Sequence, residues 1–327
     1  MPRKRRQLVA VVTGASGGLG RAVAVEFARR GLAVVLASRR KTVLNEVAGE
    51  CRVLGVPALV VATDVADEVA VQHLASQAFK KFGHIDIWVN AAVVGLYGDF
   101  ERAPASDFRR VIETDFFGYV HGARAVLPYF RRQGYGTLVN VASVLGEFGI
   151  PHMSSYVAAK HAIVGFSDSL RQELRGSGIR VCTVLPSSIN TPFYANAGNY
   201  TGHVIRPVPP VLDPRRVATA IADSIEQNRD HVFVPAAAAF LPIARAIWPG
   251  LTGQVASYII HHFQIGSRRT PYKTGNLYAS NHKSAVSGGW KEHRGMRLLK
   301  RPVLASAALA LAALMQSRQF RNQRRAA

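Results

Sequence analysis

The sequence predicts an α/β fold, a doubly wound parallel sheet that carries a basic, partly apolar C-terminal extension. Three observations carry that expectation. Short β-branched runs alternate with longer segments of helical periodicity. The runs are apolar on consecutive residues, as strands covered by helices on both faces must be. The chain has 327 residues, 48% of them hydrophobic, which is enough to bury a large core.

The strand-like runs are Leu8–Val12, Ala33–Ala37, Ala58–Ala62, Ile85–Asn90, Gly136–Val141, Ile179–Leu185 and His231–Val234. Helical periodicity fills Leu19–Arg30, Val43–Leu54, Glu68–Phe82, Asp107–Arg132, Tyr156–Arg175 and Pro214–Asn228. Strand, helix and strand in succession imply right-handed crossovers and parallel neighbours. No internal repeat is found. After Val234 the pattern changes: 235–263 is apolar and broken by Pro242 and Pro249, and 266–295 is loop-like and basic. The expected organisation is a basic tail over 1–6, a main domain over 7–235 and an extension over 236–327.

Composition excludes several classes. Recurring aliphatic and aromatic residues rule out wholesale disorder. Two cysteines, Cys51 and Cys182, make no disulfide scaffold, and no Cys/His cluster has metal-ligand spacing, so no metal is expected. The net charge of +21 is uneven. From Ser267 onward there are 13 basic residues and one acid, Glu292, and Arg3, Lys4, Arg5 and Arg6 crowd the start. Basic ends suit an anionic partner such as a lipid surface, or act as a solvated tail. A nucleic-acid partner has only this charge behind it and no motif, so it is discounted. The apolar run Leu8–Val12 is too short for a secretory leader, which points to the cytoplasm. The thirteen residues Val303–Met315 would span ~20 Å as a helix, short of the ~30 Å hydrocarbon core. With cations on either side, that segment reads as an interfacial helix on an anionic membrane, or as a packed Ala/Leu helix.

Three constellations carry chemistry. Thr13, Gly14, Ala15, Ser16, Gly17, Gly18, Leu19 and Gly20 follow a strand and open a helix. Such a turn lets backbone N–H groups and a helix N-terminus approach a pyrophosphate. At the end of the next strand stand Ser38 and Arg39, where an acid would accept from an unphosphorylated ribose. A guanidinium there favours a 2′-phosphate, hence NADP(H) over NAD(H). Ser143 precedes Tyr156 and Lys160, which lie four apart on one helical face. An adjacent ammonium draws a phenol toward working pH as an acid/base, and a serine hydroxyl can hold the substrate oxygen.

Over roughly 7–234 these jointly spaced motifs resemble the short-chain dehydrogenase/reductase family, in its compact TGxxxGxG and YxxxK branch. The resemblance implies a Rossmann sheet and hydride transfer between NAD(P)H and a carbonyl or alcohol. It implies Tyr156 as acid/base, Lys160 as its modifier and ribose anchor, and Ser143 as substrate orienter. It also implies cofactor contacts from Gly14, Ser16, Gly18, Leu19, Gly20, Asp64, Val65, Asn90, Pro186, Ile189 and Thr191, and a homodimer through the helices near 107–132 and 156–175. The sequence departs from the family pattern in three places. Ala91, Ala92 and Val93 stand where the family has Asn, Ala and Gly. Ser187 replaces a glycine. Asp115 replaces the proton-relay asparagine, a role it can keep if the main-chain carbonyl does the work.

The substrate loop, about 187–214, holds Phe193, Tyr194 and Tyr200 and few acids, so an apolar carbonyl or alcohol is expected. Two other readings remain at this point. One is an epimerase or dehydratase of the family's longer branch, disfavoured by the compact glycine spacing. The other is a catalytically altered NADP(H)-binding sensor or scaffold that docks through its basic tail.

Overall fold

The structure is a computed structural model that describes residues 6–280 and 285–290. The first half supplies β1 (Val9–Thr13), α1 (Gly18–Arg29), β2 (Ala33–Ser38), α2 (Lys41–Val53), β3 (Ala58–Ala62), α3 (Glu68–Phe82), β4 (Ile87–Asn90), β5 (Leu96–Tyr97), α4 (Ala105–Ile112) and α5 (Gly118–Gln133). The second half supplies β6 (Gly136–Val141), α6 (Ser154–Glu173), β7 (Ile179–Pro186), α7 (Phe193–Asn196), β8 (Gly198–Asn199), β9 (His203–Ile205), α8 (Pro214–Glu226), β10 (His231–Val234), α9 (Phe240–Ile247), α10 (Pro249–Ile259) and β11 (Ile265–Arg269).

The main sheet has the order β10-β7-β6-β4-β1-β2-β3, and every neighbouring pair is parallel. This is the expected doubly wound sheet. Its residues alternate between two buried layers. Ala10, Val12, Val34, Leu36, Val139 and Val184 face α1, α2 and α8. Val9, Val11, Val35, Trp88, Leu138 and Val181 face α3, α5 and α6. Burial on both sides is why these strands read as continuous apolar runs.

Local chemistry sets the helix ends. The Asp67 carboxylate accepts from the N–H groups of Val69 and Ala70 at the start of α3, and Gly83 closes that helix in the left-handed region at φ 77°. Asp213 caps α8 in the same way, ahead of Pro214 in the first turn.

The register aligns the strands' carboxyl ends: Thr13 pairs with Ala37, Asn90 with Asn140, and Val141 with Val184. The glycine turn, Arg39, the 91–94 segment, Ser143 and the 187–191 segment therefore share one edge of the sheet, where open α/β sheets bind ligands.

Two expectations need correction. The single helix expected over 107–132 is interrupted: a π turn, Glu113–Phe117, separates α4 from α5. Its cause is tertiary, as the next subsection describes. The segment 266–295, expected to be loop, begins with β11, which pairs antiparallel with β9. The described residues up to Gly289 form one compact unit. Residues 236–289 thus belong to the unit that holds the sheet. Val303–Met315 lies outside the described residues.

Candidate active site

Backbone shape builds the glycine turn. Gly14 adopts φ +71°, and a Cβ there would lie 2.8 Å from Ala92 Cα. A Cβ on Gly20 would meet the Gly14 carbonyl oxygen at 2.3 Å, so only glycine lets α1 start this close to β1. Thr13 ties the turn to the neighbouring strand. Its Oγ1 donates to the Val89 carbonyl and accepts from the N–H groups of Ala91 and Ala92. Thr191 packs over Gly18 from the 187–191 segment. Leu19, half-buried, packs on the core beside Ile189.

One donor of the glycine turn, the Gly18 N–H, is given at 2.9 Å to the carbonyl of Ala285, and the Gly288 N–H reaches the Asn190 carbonyl at 3.2 Å.

The two arginines after β2 are differently engaged. Arg39 donates to the carbonyls of Asn276, Leu277 and Tyr278, the shortest contact being 2.7 Å to Asn276. Arg40, the residue after it, donates from Nε and Nη2 to Ser16 Oγ at 3.1 and 2.9 Å. It is the arginine joined to the glycine turn. The Ser38 hydroxyl accepts from the Arg40 N–H. Asp64 accepts from the Ala66 N–H and pairs with Arg110, whose Nε also reaches the Leu277 carbonyl. Val65 is buried where a Cβ on Gly118 would meet its side chain at 2.7 Å. The Asn90 amide is buried among Trp88, the Tyr119 carbonyl and Asn140. Its side chain is thus a tie within the core, and only its main chain is left for a cofactor. Pro186 ends β7, and Ile189 bridges to Leu212.

β6, α6 and the π turn bring the remaining predicted residues together. Lys160 is 1% exposed, and its Nζ donates to the Val141 carbonyl at 3.0 Å. The same Nζ lies 3.4 Å from the Tyr119 hydroxyl and 5.4 Å from the centre of the Tyr156 ring. Tyr119 was not foreseen. Its hydroxyl donates to the same Val141 carbonyl, so it braces the floor beneath Lys160. Its one sequence signal is its place four residues after Asp115. Ser143 Oγ accepts from the Leu145 N–H and hydrogen-bonds the Tyr156 hydroxyl.

Asp115 is fully buried in the π turn. Its Oδ1 accepts from the Val94 N–H at 2.8 Å, and its Oδ2 has no partner among the described residues. That clip to Val94 explains the interrupted helix: the extra residue of the π turn carries the carboxylate across to the 91–94 segment. Burial pushes the Asp115 carboxyl above the usual carboxylate range, against the pull of the Lys160 charge. Burial lowers Lys160, and the charge of Asp115 opposes it. Burial raises the Tyr156 phenol, Asp115 raises it further, and the Ser143 hydrogen bond works the other way.

One wall beside Tyr156 is apolar. Phe193 lies 5.5 Å away ring to ring, and Tyr97, Met153, Ala197 and Ile205 complete the cluster.

A sequence model of the family described as short chain dehydrogenase matches residues 8–200. The chain belongs to the short-chain dehydrogenase/reductase family. Among its relatives is the uncharacterized oxidoreductase YxnA of Bacillus subtilis (strain 168), 31% identical over 94% of this chain and 89% of that one. A short-chain dehydrogenase/reductase of Burkholderia phymatum, solved in complex with NAD, superposes with a TM-score of 0.69 at 28% identity, over 76% of this chain and 95% of that one. A variant of actinorhodin polyketide ketoreductase, solved with NADPH, gives 0.62 at 26% identity, over 69% and 95%. The chain is thus an oxidoreductase of this family, with a nucleotide-binding fold and structural neighbours that hold NAD in one case and NADPH in the other.

Proposed function

We propose that the protein is an NADP(H)-dependent oxidoreductase of apolar carbonyl or alcohol compounds, with Tyr156 as its acid/base. The observation that carries this reading is the convergence of Ser143, Tyr156 and Lys160 at the sheet edge that also holds the glycine cradle. The residues present fit a dinucleotide. Gly14 and Gly20 leave the turn open, the Gly18 N–H faces outward to an acceptor, and Ser16, Arg39 and Arg40 supply polar and cationic groups beside it.

When bound, the nicotinamide supplies or accepts the hydride. The chain's own part is the proton. In reduction, Ser143 holds the carbonyl oxygen while the Tyr156 hydroxyl gives it a proton. The Lys160 ammonium, fixed on the Val141 carbonyl, steadies the phenolate left behind. In oxidation the same atoms act in reverse. The buried floor under Lys160 keeps its charge unscreened, so its effect on Tyr156 is larger than in water. The Phe193 and Tyr97 wall favours an apolar substrate body.

Arg39 and Arg40 support the 2′-phosphate preference, as cations at the end of β2 where no carboxylate stands. A homodimer through α4–α5 and α6 is the assembly proposed with this reading. The test is Tyr156→Phe, which removes the proton donor and barely changes volume. NADPH consumption with a broad set of ketones should stop, while NADPH binding by calorimetry persists. Near wild-type turnover in the variant would overturn the assignment.

A further inference from the structure

Residues 240–259 turn apolar side chains outward. Neither α9 nor α10 buries a single residue. Phe240, Leu241, Ile243 and Ile247 of the first helix are exposed, and so are Val255 and Tyr258 of the second, with Phe240 at 72% and Tyr258 at 60%. The two helices pack on each other, so these side chains form one patch rather than scattered single residues. Patches of this kind mark interaction sites.

Charge indicates what covers it. No Asp or Glu occurs between Asp230 and Glu292. Arg245, Arg268 and Arg269 are exposed and form no ion pair among the described residues. Among the described residues, Asp99, which pairs with Arg102 and His152, is linked to this segment only through the His152–His261 contact. A second copy would set an acid-free, cationic surface against itself, which is electrostatically unfavourable. Exposed aliphatic and aromatic residues with unpaired cations and no carboxylates match the headgroup boundary of an anionic leaflet. Helices of 8 and 11 residues are too short to span and would lie in the plane of that boundary.

The patch also adjoins the pocket. Directly after α10, Ile260 is buried, Gln264 donates to the Tyr97 hydroxyl at 3.4 Å, and Ile265 packs in the cluster that contains Tyr156 and Phe193. His261 stands against His152 at the same rim.

We propose that α9 and α10 seat the protein on an anionic lipid surface, and that the pocket beside Tyr156 takes its carbonyl or alcohol substrate from that surface. The second clause rests on the reading of Tyr156 given above, whereas the first does not.

The test uses the full-length chain and vesicles of equal parts phosphatidylglycerol and phosphatidylcholine, with pure phosphatidylcholine for comparison. Wild type should float with the anionic vesicles, bind the neutral ones far more weakly, and be partly released by salt. Phe240→Ser combined with Ile247→Ser, both at exposed positions, should lower anionic-vesicle binding at least ~tenfold. Circular dichroism and melting should be unchanged. Binding equal to wild type would overturn the proposal, because the basic tail would then be the anchor. Sedimentation showing that the variant loses a dimer instead of vesicle binding would also overturn it, in favour of a second copy. For the substrate clause, the variant should keep NADPH-dependent turnover of cyclohexanone. It should lose roughly tenfold in turnover of a long-chain methyl ketone offered in the anionic vesicles. An unchanged ratio between the two ketones overturns that clause. Vesicle binding by a wild type that consumes neither ketone would sustain the surface and reject the catalytic reading.

Discussion

Asp115→Asn separates what the main chain of the π turn does from what the carboxylate does. The amide keeps the shape and keeps an Oδ1 to accept from Val94, so the turn should stay in place. What disappears is a buried charge that raises both Lys160 and Tyr156. A unit charge a few ångströms away, at an effective dielectric of ~20, is worth ~2–4 kcal/mol, or roughly 1.5–3 pKa units. Both groups therefore move down together in the variant, so Lys160 stays beside a phenol of lower proton affinity. The expected result is a maximal rate within ~3-fold of wild type and an alkaline limb displaced to lower pH by at least ~1 unit. On the acid side wild-type Asp115 is itself neutral, because its carboxyl is raised, so the two proteins should coincide there. The assay is kcat against pH with one ketone at saturating cofactor. An unmoved alkaline limb, or a loss of peak rate beyond ~10-fold, would show that the carboxylate acts otherwise.

Lys160→Met should lose rate and cofactor affinity together, since the proposed mechanism has one buried ammonium serve both the phenol and the cofactor's ribose. Retained affinity in a binding titration would reject the second role. Gly20→Ala would set a Cβ 2.3 Å from the Gly14 oxygen, so melting should fall by the equivalent of ~2 kcal/mol or more and cofactor binding should be lost. Arg39→Ala should narrow the preference for NADP(H) over NAD(H) by roughly tenfold, and equal binding of both cofactors by wild type would sink the idea. Asp115 also predicts a pH dependence of stability. Its raised carboxyl means the folded state holds a proton that the unfolded state has released. Stability due to this group is therefore full below the model-compound value of 3.8 and declines as pH rises toward the folded value. Melting of Asp115→Asn should lack that decline.

All seven strands of the main sheet were legible because each carries a run of apolar residues, and the inner ones β1, β4, β6 and β7 are buried on both faces along nearly their whole length. Ser143, Tyr156 and Lys160 were legible because one strand end and one helical face suffice to bring them together. The break at 113–117 was not legible. Helical periodicity runs through it, and what bends the chain is a carboxylate reaching a main-chain N–H 21 residues away. The small pairs β5 with β8 and β9 with β11 are two to five residues long and carry no pattern of their own. The engagement of Arg39 was hidden for a similar reason: its acceptors lie 237 to 239 residues downstream and are backbone carbonyls, which any sequence supplies.

On the proposed reading of the glycine turn as a cofactor cradle, the contact between Ala285 and Gly18 makes the chain a competitor for that cradle. A phosphate oxygen and the Ala285 carbonyl seek the same N–H, and one well-aligned acceptor is what a single donor serves best. The carbonyl belongs to the same chain, so its competition does not fall on dilution. Free cofactor is therefore scaled in apparent affinity by the fraction of time the turn stands vacant. The coupling is reciprocal. Saturating cofactor favours release of residues 285–289 by the same factor that their docking weakens the cofactor. On that reading, whatever draws that stretch away from Gly18 tightens nucleotide binding without touching Ser143, Tyr156 or Lys160.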